Sequence, residues 1–141
     1  MATLLGLLAC ASLCGCVGAP SDAQSLNGGN QVVQSSESGL VNATVTLEAA
    51  ALERGQNSFL VVLQPVADAG DDAGAEVPAL TNAVATMPAH GHSVTASTIA
   101  LDGSAYRVGD LDLFMSGLWQ VDLTVTVGAR SDHVEFSLDV P

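Results

Sequence analysis

The carboxyl-terminal third of the chain alternates apolar with polar residues in two long stretches, and this pattern constrains the fold more than any other feature. The apolar positions are Trp119, Val121, Leu123, Val125 and Val127 in the first stretch and Val134, Phe136, Leu138 and Val140 in the second. Successive side chains of a β-strand point to opposite faces, so each stretch has one face for a core and one for water. Both stretches are therefore predicted to be half-buried strands.

Five further strands are predicted upstream of these two. The stretch from Leu40 to Leu47 also alternates, and the apolar run Phe59–Leu63 is typical of a central strand. The remaining three are predicted over Val77–Thr86, Ser93–Ala100 and Tyr106–Leu113. Asp102-Gly103 is a hairpin signal before the last of them. Seven short strands and no convincing helical window indicate an all-β fold, an immunoglobulin-like antiparallel β-sandwich.

The charge balance excludes one broad class of function. The 141 residues include 15 Asp and Glu but only 3 Lys and Arg, all of them Arg, which gives a formal net charge of -12. Affinity for a phosphate backbone depends on clustered basic side chains. We therefore expect no nucleic acid among the partners.

Residues 1–15 are predicted to be a signal peptide that is not part of the folded domain. They are almost entirely apolar and small, they are too short to span a bilayer as a helix, and a polar stretch follows. No Lys or Arg precedes the apolar run, so either the true start lies elsewhere or the amino terminus alone supplies the positive charge.

A cysteine at the end of this leader is the expected site of lipid attachment. Leu13-Cys14-Gly15-Cys16 resembles the lipobox of bacterial lipoproteins, which implies that Cys16 carries lipid. Cys10 fits the same pattern but leaves a shorter apolar run, and a plain secretory signal with incidental cysteines is the other alternative. A lipid on Cys16 would anchor the protein to a bacterial membrane, with its domain outside the cytoplasm in the cell envelope.

Residues 16–39 are predicted to be a flexible linker, and residues 40–141 are predicted to be the domain. The linker is rich in Ser, Gln, Asn and Gly and has no sustained periodicity. No cysteine lies beyond residue 16, so the domain has no thiol for a disulfide or for a zinc-thiolate site.

An acidic loop within the domain contains Asp68, Asp71 and Asp72 among Gly and Ala. Its spacing lacks the alternating Asp or Asn pattern and the bidentate Glu of a calcium loop. It is therefore predicted to be a solvated turn.

The one cluster with the chemistry of a binding site is Met87-Pro88-Ala89-His90-Gly91-His92. If the preceding strand runs towards one end of the sandwich, this loop lies at that end, the next strand runs away, and Tyr106–Leu113 returns to it. Met115 is therefore predicted to lie beside the histidine loop, at the same end as Glu53 and Arg54. By the same count, His133 is predicted to be an exposed strand residue at the opposite end.

Met87, His90, His92 and Met115 form the candidate metal site. Thioethers are soft ligands that favour Cu(I), and imidazole accepts both oxidation states of copper, so copper is the candidate cofactor. In an extended segment His90 and His92 point the same way, and Gly91 allows both rings to converge. The alternative is that the methionines fill space in the core and the histidines hydrogen-bond loop carbonyls, without any metal.

Two motifs carry a resemblance to a known family. Met-Pro-x-His-x-His at Met87–His92 and Met-Ser-Gly-x-Trp at Met115–Trp119 resemble the YtkA-like domain family, which is similar to the periplasmic part of FixH-type proteins. The resemblance covers roughly residues 40–140 and includes Asn57-Ser58-Phe59 and Asp102-Gly103 with Tyr106. It implies an immunoglobulin-like sandwich outside the cytoplasm. Relatives in this family are linked to copper handling and to the assembly of respiratory copper enzymes.

These observations predict a membrane-anchored, extracytoplasmic binding module that carries copper, with a copper-dependent oxidase or another envelope protein as its partner. The alternative is a metal-free structural or protein-interaction domain of an envelope lipoprotein. We do not expect an enzyme, because the sequence has no Gly-rich phosphate loop, no G-x-S-x-G and no H-E-x-x-H.

Overall fold

The computed structural model describes residues 25–26, 29–66 and 76–141, and this part of the chain forms nine β-strands. They are β1 (Gln31–Ser35), β2 (Val41–Leu47), β3 (Gly55–Pro65), β4 (Ala79–Met87), β5 (His92–Thr95), β6 (Thr98–Asp102), β7 (Ala105–Leu113), β8 (Gly117–Val127) and β9 (Arg130–Val140). The predicted signal peptide, Cys16 and the acidic loop with Asp68, Asp71 and Asp72 lie outside the described residues.

The strands form two antiparallel sheets that pack face to face. One sheet has five strands in the order β1-β2-β3-β7-β6, and the other has four in the order β5-β4-β8-β9. The predicted all-β antiparallel sandwich is therefore confirmed, with nine described strands where the sequence indicates seven. The described residues contain no helix that is long and apolar enough to cross a membrane.

Alternation builds the core, as the sequence predicts. In β2 and β8 the apolar positions are buried and the polar positions between them face outward. The two sheets meet through large side chains, among which Phe59 of β3 and Phe136 of β9 lie edge to face with ring centroids 6.4 Å apart. Such aromatic pairs contribute about 0.5 to 1.5 kcal/mol beyond the area they bury.

The predicted strand Ser93–Ala100 is wrong as a single strand. It is divided between β5, which pairs with β4, and β6, which pairs with β7 in the other sheet. The chain changes sheet at Ala96 and Ser97, where the Ser97 hydroxyl donates to the Asp110 carboxylate at 3.0 Å. Asp110 has a φ of 55° beside a register shift between β3 and β7. The apolar positions change phase between Ala96 and Ile99, but no Gly or Pro marks the crossing, and both halves run in the same direction along the sandwich.

Residues 31–35 were wrongly predicted as part of the linker, because they form β1 at the edge of the five-stranded sheet. Val32 is buried opposite Val45 of β2, whereas Val33 is 52% exposed. With one buried apolar position in five residues, the segment does not show the alternation by which a strand is recognised in a sequence. The strand is held mainly by backbone pairing to β2. The folded body therefore begins upstream of residue 40.

A buried carboxylate fixes the turn between β1 and β2 to the start of β9. Asp132 is 2% exposed and accepts hydrogen bonds from the backbone N–H groups of Ser38 at 3.1 Å and of His133 at 2.9 Å, with a longer one from Leu40 at 3.4 Å. Burial raises the pKa of this carboxyl, but these bonds and one from the Ser36 hydroxyl outweigh it, so the pKa lies below its usual value.

We expect Asp132→Asn to lower the free energy of unfolding by about 1 to 3 kcal/mol at neutral pH, because an amide nitrogen would replace one of the acceptors. Folding lowers the pKa of Asp132, so its contribution is present above the unfolded pKa of about 3.9 and is lost as the pH falls through the folded value. Urea denaturation at neutral pH and below about pH 4 measures both effects.

Asp139→Asn is the matched control, because Asp139 is an exposed carboxylate on the same strand. If the two variants have equal stability at neutral pH, the stabilising role of Asp132 is disproved.

Candidate metal site at one end of the sandwich

Three connections meet at one end of the sandwich. β4 ends at Met87 and β5 begins at His92, while β7 ends at Leu113 and β8 begins at Gly117. Gly55 of β3 pairs with Leu113, so the connection that contains Glu53 and Arg54 lies at this end as well. This is the grouping of loops that strand direction predicts from the sequence.

The histidine loop is a tight turn closed by the backbone of Met87. The Met87 carbonyl accepts hydrogen bonds from the N–H groups of His90 at 3.2 Å and of Gly91 at 2.8 Å. Gly91 has a φ of +67°, a conformation that glycine adopts without the strain a Cβ would cause. The turn leaves the His90 and His92 side chains exposed, with ring centroids 6.1 Å apart and ring planes 26° apart.

The two imidazoles lie close together but are not arranged as metal ligands. Their rings are stacked, and the lone pair of each ring nitrogen lies in the plane of its own ring. Both side chains are exposed, so rotation of the rings would be needed to direct a nitrogen of each towards one ion.

Met87 lies beside His92 on the neighbouring strand and is buried on the inner face of the four-stranded sheet. The two residues are direct partners across β4 and β5, and Met87 is only 3% exposed. A Cβ at Gly117 would lie 2.8 Å from the Met87 Cε, so the thioether side chain extends towards the start of β8. Met87 is therefore both a core residue and the closest cross-strand neighbour of one candidate ligand.

Met115 is half-buried and packs against the core in the connection between β7 and β8. Its carbonyl accepts a hydrogen bond from the indole Nε1 of Trp119 at 3.0 Å. Trp119 is fully buried, so this bond fixes the backbone at Met115 to the core. The roles of Met87, His90, His92 and Met115 as ligands stay predictions.

Phe114 is a part of this end that sequence reasoning missed. Its ring lies 5.4 Å from that of His92 and 5.6 Å from that of Trp119, edge to face in both cases. It joins the histidine loop to the Met115 connection. The sequence does contain a signal for this residue. Phe114 follows Leu113 directly, so the alternation of the strand places this large apolar side chain on the outer face, away from the core.

The connection between β2 and β3 is held by a buried amide. The side-chain nitrogen of Asn57 donates to the carbonyls of Glu53 at 2.7 Å and of Gly55 at 2.9 Å. Glu53 and Arg54 are exposed beside this turn. Within the described residues, no three His, Cys, Asp or Glu side chains are grouped so that they could hold a metal ion.

His133 lies at the opposite end, exposed, as the sequence predicts. Its Nδ1 is 3.0 Å from both carboxylate oxygens of Asp122 on the neighbouring strand. The hydrogen bond and then the charge of Asp122 raise the pKa of His133 above its usual value, and the charges of Glu37 and Asp132 add to this.

We expect an NMR titration to show that Asp122→Asn returns the pKa of His133 towards about 6.5. Because folding raises this pKa, the pair stabilises the fold below the unfolded pKa, and this contribution is lost as the pH rises through the folded value. An identical His133 pKa in the variant would show that Asp122 is not the cause.

Two glycines at the site give a second test of its geometry. Gly117 has a φ of +119° and no room for a Cβ beside Met87, whereas Gly91 has a φ of +67° and open space. We expect Gly117→Ala to cost at least about 1 kcal/mol more stability than Gly91→Ala, because a φ of +119° lies outside the left-handed well near +57°, whereas +67° lies close to it. The Met87 Cε must also move, which its flexible side chain allows at little cost. Thermal unfolding of both variants measures the difference, and equal losses would contradict backbone strain at Gly117.

Comparisons of the chain with protein-family models, with curated proteins and with solved structures find no match. The resemblance to the YtkA-like domain family therefore rests on the sequence motifs alone and stays a prediction.

Proposed function

We propose that this protein is a membrane-anchored, extracytoplasmic module that binds and carries copper at the end of the sandwich defined by Met87, His90, His92 and Met115. The observation that carries the proposal is the pair of exposed imidazoles, 6.1 Å apart, on a turn whose first residue is a buried methionine. The connection that bears Met115 meets the same turn through Phe114.

The ligand types favour copper. Imidazole binds both oxidation states, whereas a thioether stabilises Cu(I) and lacks the charge that would hold Cu(II) firmly. A site that combines them would accept Cu(I) and hold it without a thiolate. Such a site suits a carrier outside the cytoplasm, where a free thiol would be consumed by oxidation.

The location and the partner are parts of the same proposal. The lipobox-like sequence supports lipid attachment at Cys16, and the motif resemblance supports transfer to a copper-dependent oxidase or another envelope protein. The exposure of both histidines supports such a transfer, because an incoming ligand can reach a metal held by them without unfolding the domain.

Trp119 provides an internal probe for the test, because it is the only tryptophan in the chain and its ring is linked to His92 through Phe114. We expect Cu(II) to quench its fluorescence with a dissociation constant of about 1 μM or lower, a binding free energy of about -8 kcal/mol. The double variant His90→Ala/His92→Ala should lose the quenching.

His133→Ala is the matched control, since it removes an exposed histidine at the other end and should leave the titration unchanged. Met115→Leu should weaken Cu(I) binding more than Cu(II) binding, which competition with a chelator measures. Equal copper binding in the wild type and the double variant, or no binding of Cu(I) by the wild type, would refute the proposal.

A metal-free structural or interaction domain is the second candidate, and the burial of Met87 favours it. Met87 packs in the core at 3% exposure and Met115 packs against the same core, as expected of flexible space-filling side chains. A ligand at a hundredfold excess over its dissociation constant stabilises the fold by about 2.7 kcal/mol. A melting curve that neither Cu(I) nor Cu(II) shifts would therefore support this candidate.

A further inference from the structure

The ring of Phe114 bridges the two residues that flank Met87. His92 is the partner of Met87 across β5 and β4, and the pairing of Thr86 with Gln120 places Trp119 beside Met87 on the β8 side. Phe114 contacts both flanking rings, at 5.4 Å and 5.6 Å between centroids. Neighbouring strands are about 4.8 Å apart, so the ring spans the end of the strand that carries Met87.

The exposures of Phe114 and Met87 are opposite. Phe114 is 44% exposed although it is a large apolar residue, and Met87 is 3% exposed although it ends a strand at the rim of the sandwich. A residue at the rim is shielded only if another group lies between it and water. The ring of Phe114, which contacts both of its neighbours, is in position to do this.

We propose that Phe114 is the shield of the Met87 thioether and, on the basis of the copper-carrying function proposed above, the residue that makes the site selective for Cu(I). With the ring in place, the sulfur is closed to water. A cation held by His92 would then meet a dry, soft sulfur ligand. Such a ligand stabilises Cu(I) and does little for the strongly hydrated Cu(II).

The first test needs no metal. Hydrogen peroxide transfers one oxygen atom to a methionine sulfur, giving the sulfoxide and water, at a rate set by the exposure of the sulfur. We expect Phe114→Ala to speed the oxidation of Met87 several-fold, measured by peptide mass spectrometry. Phe114→Leu, which keeps an apolar cover, should speed it less.

Leu118→Ala is the matched control, because Leu118 is also a large apolar side chain near this end, 50% exposed. It should leave the oxidation of Met87 at the wild-type rate. Urea unfolding of each variant, with the oxidation assayed well below the transition, confirms that the sulfur is reached in the folded state. Equal Met87 oxidation in Phe114→Ala and Leu118→Ala overturns the shield.

The second test separates this inference from the proposed function. Loaded proteins are challenged with a Cu(I) chelator, and Phe114→Ala should release Cu(I) several-fold faster than Leu118→Ala, with no such difference for Cu(II). If the wild type binds no Cu(I), the copper-carrying function fails while the peroxide experiment still decides the shield. If the wild type binds Cu(I) and both variants release it equally fast, the selectivity role of Phe114 is overturned and the copper-carrying function stands.

Discussion

The contact between the apolar faces of the two sheets is the interaction on which the rest of the structure depends. Phe59 and Phe136 meet across it, and the alternating residues of β2 and β8 supply much of the interior. Burial of apolar area contributes about 25 cal/mol per Å². This packing also sets the direction of each strand, and strand direction decides which loops share an end. The position of the histidines beside the Met115 connection is therefore a result of core packing.

The two ends of the sandwich are built in different ways. At one end the buried Asp132 carboxylate receives several N–H groups and ties a turn to β9. At the other end the turns are closed by backbone carbonyls, the buried Asn57 amide, glycines at positive φ and one indole N–H group, while two imidazoles and a phenyl ring stay accessible. A buried carboxylate organises the first end, whereas exposed rings remain available to a ligand at the second.

Much of this arrangement could be predicted from the sequence. Alternation of apolar and polar residues identifies the strands, and counting the strands shows at which end each loop lies, so neither step needs a measured distance. This reasoning predicts the buried faces of β2, β8 and β9, the common end of the two loops and the distant position of His133.

The other features depend on contacts that produce no periodic pattern in the sequence. β1 has one buried position, Val32, and the change of sheet at Ala96 and Ser97 depends on pairing with Asp110 and Gly109 rather than on hydrophobic pattern. The role of Phe114 was missed because it depends on a contact between the rings of Phe114 and His92, which are 22 positions apart. An alternating pattern carries no information about such a contact.

The chain upstream of β1 is already attached to the body. Ser25 forms a parallel bridge to Ser137, and the N–H group of Leu26 donates to the Ser137 carbonyl at 3.1 Å, on the half of β9 nearest the histidine loop. Only nine residue steps separate Cys16 from Ser25, and a fully extended chain of that length reaches about 30 Å. An acyl anchor at Cys16 would thus keep the imidazole-bearing rim within a few nanometres of the lipid headgroups, within range of a bilayer-embedded recipient.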